Sequence, residues 1–170
     1  MREYVLDTGA LLSTWTQKIR ETNLFTTPSV IDEVENRPSK TRVDTLISVG
    51  RLFVQEASES QRTKTRKAAM QYGDAATLSD ADIEIVALAL EKATTNDDVV
   101  LVSTDLAVLN TASHLGLEIL DPSGRMKQRI KWIYQCPACG HTSKVVDKDK
   151  RCPVCGTEMR RRAVKKEHMP

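Results

Sequence analysis

Aromatic side chains are scarce in this chain. Two Trp, three Tyr and two Phe among 170 residues rule out a core built on stacked rings, so Val, Leu, Ile and Ala must carry it. Long hydrophobic runs are missing too. The longest, at 85–90 and 99–102, fall far short of the roughly 20 residues that a membrane helix needs. No basic stretch followed by an apolar one opens the sequence, and the expectation is a soluble, cytoplasmic protein with no membrane partner. Histidine occurs only at 114, 141 and 168, outside any catalytic triad, and His141, next to a cysteine pair, would be a superfluous fifth metal ligand. Cysteine is absent before Cys136, which argues against a disulfide-stapled fold and for metal or redox chemistry in a reducing compartment.

What is present is a charge split. Residues 1–121 carry 12 Lys+Arg against 19 Asp+Glu, and residues 122–170 carry 13 against 4. The two parts are therefore −7 and +9, which sum to the overall +2. Such asymmetry points to nucleic acid or an acidic surface as partner, although a charged solvated tail would look alike.

The acidic part alternates between strand and helix patterns. Glu3–Asp7 reads as a short strand, and Thr8 to about Arg20 as a helix. A second helix starts at Thr27-Pro28, with Thr as cap and Pro at the first position. A third spans about Lys40–Val49 and stops at Gly50. Leu52–Gln55 is a strand candidate, whereas 56–78 turns polar and fits either a helix with frayed ends or a mobile insertion. Ser79 and Asp82 form a capping box before the stripe Ile83, Val86, Ala87, Leu90. Asp98–Ser103 reads as a buried parallel strand. A helix at Leu106–Leu115 and a strand at Leu117–Leu120 follow, and Asp121-Pro122-Ser123-Gly124 breaks the pattern. This alternation predicts an α/β fold with a small parallel sheet flanked by helices.

Sites in open α/β sheets form at the carboxyl ends of the strands. Asp7 and Asp105 stand at such ends, Asp82 in the first turn of its helix, and Glu33 one turn into the helix begun at Pro28. Four acids on one rim would repel one another and favour a hard divalent cation, which prefers oxygen ligands and can activate water. Each has a plainer reading as well. Asp7 and Asp105 suit helix caps, Asp82 completes the capping box, and Glu33, with Asp32 and Glu35, suits a helix macrodipole.

The stretches Asp7-Thr8-Gly9-Ala10, Pro28-Ser29-Val30-Ile31-Asp32-Glu33-Val34, Leu78-Ser79-x-x-Asp82-Ile83 and Ser103-Thr104-Asp105 resemble the four successive motifs of PIN-domain nucleases. The resemblance implies that Asp7, Glu33, Asp82 and Asp105 are the acids around a catalytic Mn2+ or Mg2+, with Asp7, Asp82 and Asp105 binding it and Thr8 orienting water or substrate. The family often has another acid where this chain has Thr104, which is compatible with one bound metal.

Cys136-Pro137-Ala138-Cys139-Gly140 and Cys152-Pro153-Val154-Cys155-Gly156 are two knuckles of form C-P-x-C-G. Four thiolates at this spacing predict a tetrahedral structural Zn2+ held by Cys136, Cys139, Cys152 and Cys155, with a rubredoxin-like iron as the alternative. Basic residues surround them. Arg125, Lys127, Arg129 and Lys131 beside Trp132, together with Lys144 and Lys148, are the candidate RNA contacts. Trp132 could equally pack between domains.

A PIN-like domain, a basic connector and such a ribbon together resemble the Nin-one-binding family of ribosome-assembly endonucleases, in its compact archaeal form. The implied activity is endonucleolytic cleavage of small-subunit precursor rRNA at the 3′ end of the mature RNA, on the pre-ribosomal small subunit, with other assembly factors as possible partners. The expected segments are 1–122 (nuclease domain), 123–133 (basic connector), 134–158 (zinc ribbon) and 159–170 (a flexible basic tail). Two other readings stay open: a non-catalytic assembly factor, and a toxin-type PIN ribonuclease acting on tRNA or mRNA.

Overall fold

The computed structural model describes residues 2–19 and 22–169. Five short strands, β1 (Glu3–Leu6), β2 (Asn23–Thr26), β3 (Leu52–Val54), β4 (Val99–Val102) and β5 (Glu118–Leu120), pair in parallel in the order β3-β2-β1-β4-β5. Val5, Leu6 and all four residues of β4 are buried, as expected of central parallel strands covered on both faces. The order reverses direction at β1, which pairs with β2 on one side and β4 on the other. The crevice beyond the carboxyl ends of β1 and β4 is therefore the topological switch point where such sheets bind ligands.

Helices supply the two outer layers. The expected long helix after β1 is two pieces, α1 (Thr8–Leu12) and α2 (Trp15–Lys18). Ser13 interrupts it by accepting the Trp15 amide at 3.2 Å on its hydroxyl, and Trp15 turns to meet Tyr4 edge-on, 5.1 Å between ring centres. The expected end at Arg20 lies outside the described residues, as do Met1 and Pro170. α3 (Pro28–Asp32) is capped by Thr27 as anticipated. α4 (Arg37–Ser48) begins earlier than expected because Asn36 caps it through the Ser39 amide. The ambiguous polar stretch is a 14-residue helix, α5 (Glu59–Tyr72). It buries only Thr65, Ala68 and Ala69, too thin a stripe to announce itself, and packs along α6 (Asp80–Ala93). Ser79 and Asp82 make the full capping box of α6, and seven of its residues are buried. α7 (Leu106–His114) follows β4 and is capped by Asp105.

The largest departure lies in the basic part. Most of the expected connector is β6 (Gln128–Gln135), and the expected flexible tail is β8 (Arg160–His168), paired antiparallel with it. With β7 (Thr142–Ser143) they form a second sheet, β7-β6-β8. Its core is Tyr134, Cys136, Cys152 and Met159. Lys131 faces Lys165 across the pairing, a repulsion that Glu167 offsets. It is ion-paired with Lys165 and with Arg129, and these cations hold its carboxyl down to about 2.

This sheet is locked to the parallel-sheet part by a buried carboxylate. Asp74 is fully buried. It accepts from Asn110 Nδ2 at 2.7 Å, from the Thr111 hydroxyl at 3.2 Å, and from the Arg161 guanidinium. Arg161 also covers the Trp132 ring at 4.3 Å. Burial pushes the Asp74 carboxyl up despite its Asn110 and Arg161 partners. Removing one member of such a buried pair typically costs about 3–5 kcal/mol. Asp74→Ala is accordingly expected to lower stability by about 3 kcal/mol, read by denaturant melting; an unchanged midpoint would show that the lock contributes nothing. Gly73, in the left-handed region at φ 77°, makes the close approach possible. A Cβ there would lie 2.4 Å from the Trp132 carbonyl oxygen. Gly73→Ala should destabilise by about 2 kcal/mol through strain and displacement of β6, and a variant melting with the parent would refute this.

Candidate active site and metal centre

The rim of the parallel sheet collects Asp7, Thr8, Gly9, Glu33, Asp82 and Asp105 around one cleft of about 240 Å³. Four different segments deliver the acids. Asp7 follows β1, Glu33 closes α3, Asp82 opens α6 and Asp105 opens α7. All five expected catalytic residues thus share one cavity wall.

The capping reading of these acids holds alongside. Asp7 Oδ1 accepts from the Ala10 amide at 2.8 Å, and the buried Ser103 hydroxyl donates to its other oxygen. Asp82 Oδ2 takes both Ser79 bonds, at 2.7 Å and 2.9 Å. Asp105 Oδ1 accepts from Ala107 and Val108 at 2.7 Å and 3.3 Å. Each bond fixes a rotamer, and Oδ1 of Asp82 and Oδ2 of Asp105 are left outside these caps. The Thr8 hydroxyl donates to Glu33, tying α1 to α3. A Cβ at Gly9 would lie 2.2 Å from Thr104 Oγ1, so a larger residue there would have to turn that hydroxyl aside.

The acids sense one another. Burial raises the Asp7 carboxyl, opposed by the Ser103 and Ala10 hydrogen bonds, and the charges of Asp82 and Asp105 raise it further. Asp82 is raised by burial first, against its Ser79 bonds, and then by Asp105 and Glu33. Mutually repelling carboxylates in a partly desolvated cleft form a hard-oxygen donor set suited to a divalent cation. Their oxygens are not drawn into a tight cluster: among the described residues only the four thiols converge within 4.8 Å.

Those thiols form the second centre. Cys136 and Cys152 are buried, Cys139 and Cys155 exposed, and none is in a disulfide. The pairs Cys136–Cys155 and Cys139–Cys152 stand 3.4 Å and 3.6 Å apart between sulfurs. Tetrahedral zinc with bonds of about 2.3 Å places its sulfurs roughly 3.8 Å apart, so the cluster fits that ion. The knuckles are built alike. The Cys136 amide donates to His141 O and that of Cys152 to Thr157 O, each at 2.8 Å. Gly140 and Gly156 take φ of 75° and 74°. The His141 backbone completes a knuckle; its ring is not needed as a ligand.

The basic candidates separate into groups. Arg125 donates to the Thr104 carbonyl at 2.6 Å, beside the acidic cleft, and Lys127 is exposed nearby. Arg129 is committed to Glu167 and to Ser113 O. Lys131 borders a hollow next to Tyr72 and His114, whose rings stack 3.6 Å apart. Trp132 lies at the junction under Arg161, as interdomain packing would have it. Lys144 and Lys148 are exposed between β7 and the second knuckle. Sequence reasoning missed Asp74 and the role of Ser103. The first is invisible because its ionic partner lies 87 positions away. The second could have been found, since Ser103 immediately follows β4.

Residues 4–91 match the family described as the PIN domain of ribonuclease, which together with the rim of acids defines a PIN-domain endoribonuclease acting on RNA. Over 137 residues the chain is 37% identical to Endoribonuclease Nob1 of Pyrococcus abyssi, covering 80% of this chain and 81% of that one. It is 32% identical to Endoribonuclease Nob1 of Archaeoglobus fulgidus over 96% of this chain and 93% of that one. Ribonuclease VapC1 of Thermoplasma acidophilum is 31% identical over 98% of this chain and 81% of its own. The chain belongs to the Nob1-type PIN endoribonucleases of archaea. Among the described residues no helix is long and apolar enough to cross a membrane.

Proposed function

We propose that this endoribonuclease is divalent-metal dependent and cuts small-subunit precursor rRNA at the 3′ end of the mature RNA, in the cytoplasm, on the pre-ribosomal small subunit. The observation that carries the reading is the convergence of Asp7, Glu33, Asp82 and Asp105 on one cleft at the switch point of the sheet. Asp7, Asp82 and Asp105 would hold Mn2+ or Mg2+, with Glu33 completing the acidic wall. When bound, such an ion supplies a water of lowered pKa and charge stabilisation at the leaving oxygen.

The chain's own residues do the positioning. Ser103 and the Ala10 amide fix the Asp7 carboxylate, Ser79 fixes Asp82, and Thr8 orients Glu33. Bare carboxylates would repel an RNA backbone, and the cations at 125–131 and on the ribbon supply the opposing attraction. Zn2+ in the four-cysteine cluster holds the ribbon. The precursor rRNA substrate rests on the Nob1 names of relatives matched across ribbon as well as nuclease domain.

The long match to Ribonuclease VapC1 keeps a toxin-type activity as the second reading. Incubation with Mn2+ and separate RNAs decides: a single-stranded RNA spanning the 3′ end of small-subunit rRNA, a tRNA and an mRNA fragment. One specific cut in the first supports the proposal. Preferential destruction of tRNA or mRNA supports the alternative.

A further inference from the structure

Beside the acidic cleft lies a hollow of about 310 Å³ that the catalytic chemistry does not use. Leu106 and Ala107, the first residues of α7, form one wall; Met126, Ile130 and Trp132 contribute to the others. The two spaces are contiguous in the chain. Thr104 and Asp105 line the cleft, Leu106 and Ala107 the hollow. Arg125 lines the hollow and donates to the Thr104 carbonyl at 2.6 Å.

Its chemistry is selective. Most of the exposed wall is apolar, while Arg125 and Lys127, together with the mutually paired Asp74 and Arg161, belong to the lining. An apolar slot bordered by cations suits a flat, weakly polar group attached to an anion, which describes a nucleobase on its phosphodiester chain. The volume sits at the small end of the ~300–1,000 Å³ range of ligand pockets, room for one base with part of its sugar. Asn110 is on the wall but fully engaged. Its nitrogen donates to Asp74 and to the Ile130 carbonyl, and its oxygen accepts the Ile130 amide, all at 2.7 Å. Gln128 is the other amide of the lining, able both to donate and to accept at a base edge.

We infer that this hollow is a subsite for one unpaired nucleobase of the RNA strand, a nucleotide or so from the scissile phosphate. The subsite favours single-stranded RNA, because a base inside a duplex must first be unpaired and unstacked to enter. It also explains why the ribbon is locked to the nuclease domain: Ile130 and Trp132 of β6 complete a pocket whose other wall is α7. The inference rests on the ribonuclease reading of the adjacent cleft.

The test measures the affinity of a short single-stranded RNA for the full zinc-loaded chain in an Asp105→Asn background, which retains a competent cap, with no added divalent cation so that cutting is negligible. An abasic nucleotide is placed at each position in turn. One position is expected to weaken binding about tenfold when its base is removed, the scale of losing one stacked base. Leu106 is 42% exposed, so Leu106→Trp should fold normally and fill the hollow. It should weaken the intact RNA about equally and erase the position dependence. Gln128→Ala, as a second variant, should change which base is preferred there. Equivalence of all abasic positions, or position dependence surviving in a folded Leu106→Trp protein, overturns the subsite. Cleavage by the unsubstituted protein, followed in parallel, separates the two claims. Cutting without position dependence removes only the subsite, whereas absence of both removes the nuclease reading with it.

Discussion

Asp7→Asn is expected to lower the rate of RNA cleavage by roughly 100- to 1,000-fold, the scale of losing one group that organises charge in a transition state. The same substitution should leave the fold at least as stable at neutral pH. Asp7 is 7% exposed, and burial raises its carboxyl above the ordinary 3.8. The folded state therefore binds the proton more readily than the unfolded one. Stability from this group is present at acid pH and is lost as pH rises from 3.8 through the raised folded value. At pH 7 the ionised side chain is a net cost that asparagine removes, while its amide oxygen can still accept the Ala10 amide. Melting without added divalent cation should show the variant gaining on the parent between pH 4 and pH 7. A variant that cuts as well as the parent would make the acidic cleft a docking feature. One that unfolds at neutral pH would show that the Asp7 carboxylate is structural above all.

Zinc removal should produce the second large effect. The ribbon's core is four residues, two of them cysteines of the four-thiol cluster, and cannot offset the entropy of ordering the knuckles. Structural zinc contributes about 10–16 kcal/mol in small domains. Chelation or Cys152→Ser is expected to unfold the knuckles and weaken RNA binding. The parallel sheet should remain, because its core shares no residue with the ribbon's. The Asp74–Arg161 contact should retain the adjoining end of β6 and β8 for part of the transition. Circular dichroism with metal analysis checks this: one zinc per chain, and a ribbon transition separate from that of the nuclease domain. Collapse of both in one step would show that the two sheets fold as a unit, and iron in place of zinc would correct the assignment of the metal.

The contrast between what could and could not be read from the residues has a physical origin. The cysteine knuckles and the capping box of α6 are local, their partners within a few positions, so spacing alone exposes them. The acids at 7 and 105 were legible because a parallel sheet brings every strand's carboxyl end to one rim. β2 was missed since Asn-Leu-Phe-Thr is too short for any periodicity to develop. β8 was read as a tail because Arg-Arg-Arg-Ala-Val-Lys-Lys-Glu-His shows charge and almost no apolar pattern. Its order comes from pairing with β6 and from an arginine that finds Asp74 far away in sequence. The acids also show that capping a helix and lining a cleft need not compete. One oxygen of Asp82 completes a helix cap while the side chain still lines the cleft.

Dependence of cleavage on a divalent cation tests the central claim most directly. The zinc content of the protein is verified, free divalent ions are removed by dialysis, and cutting of a single-stranded RNA is followed as Mn2+ is added back. Cleavage should be negligible at the start, rise to saturation, and require more Mn2+ for half-maximal rate in Asp105→Asn than in the parent. Cutting that proceeds at full rate without added metal, or a titration unchanged by Asp105→Asn, would contradict a metal centre built from these acids.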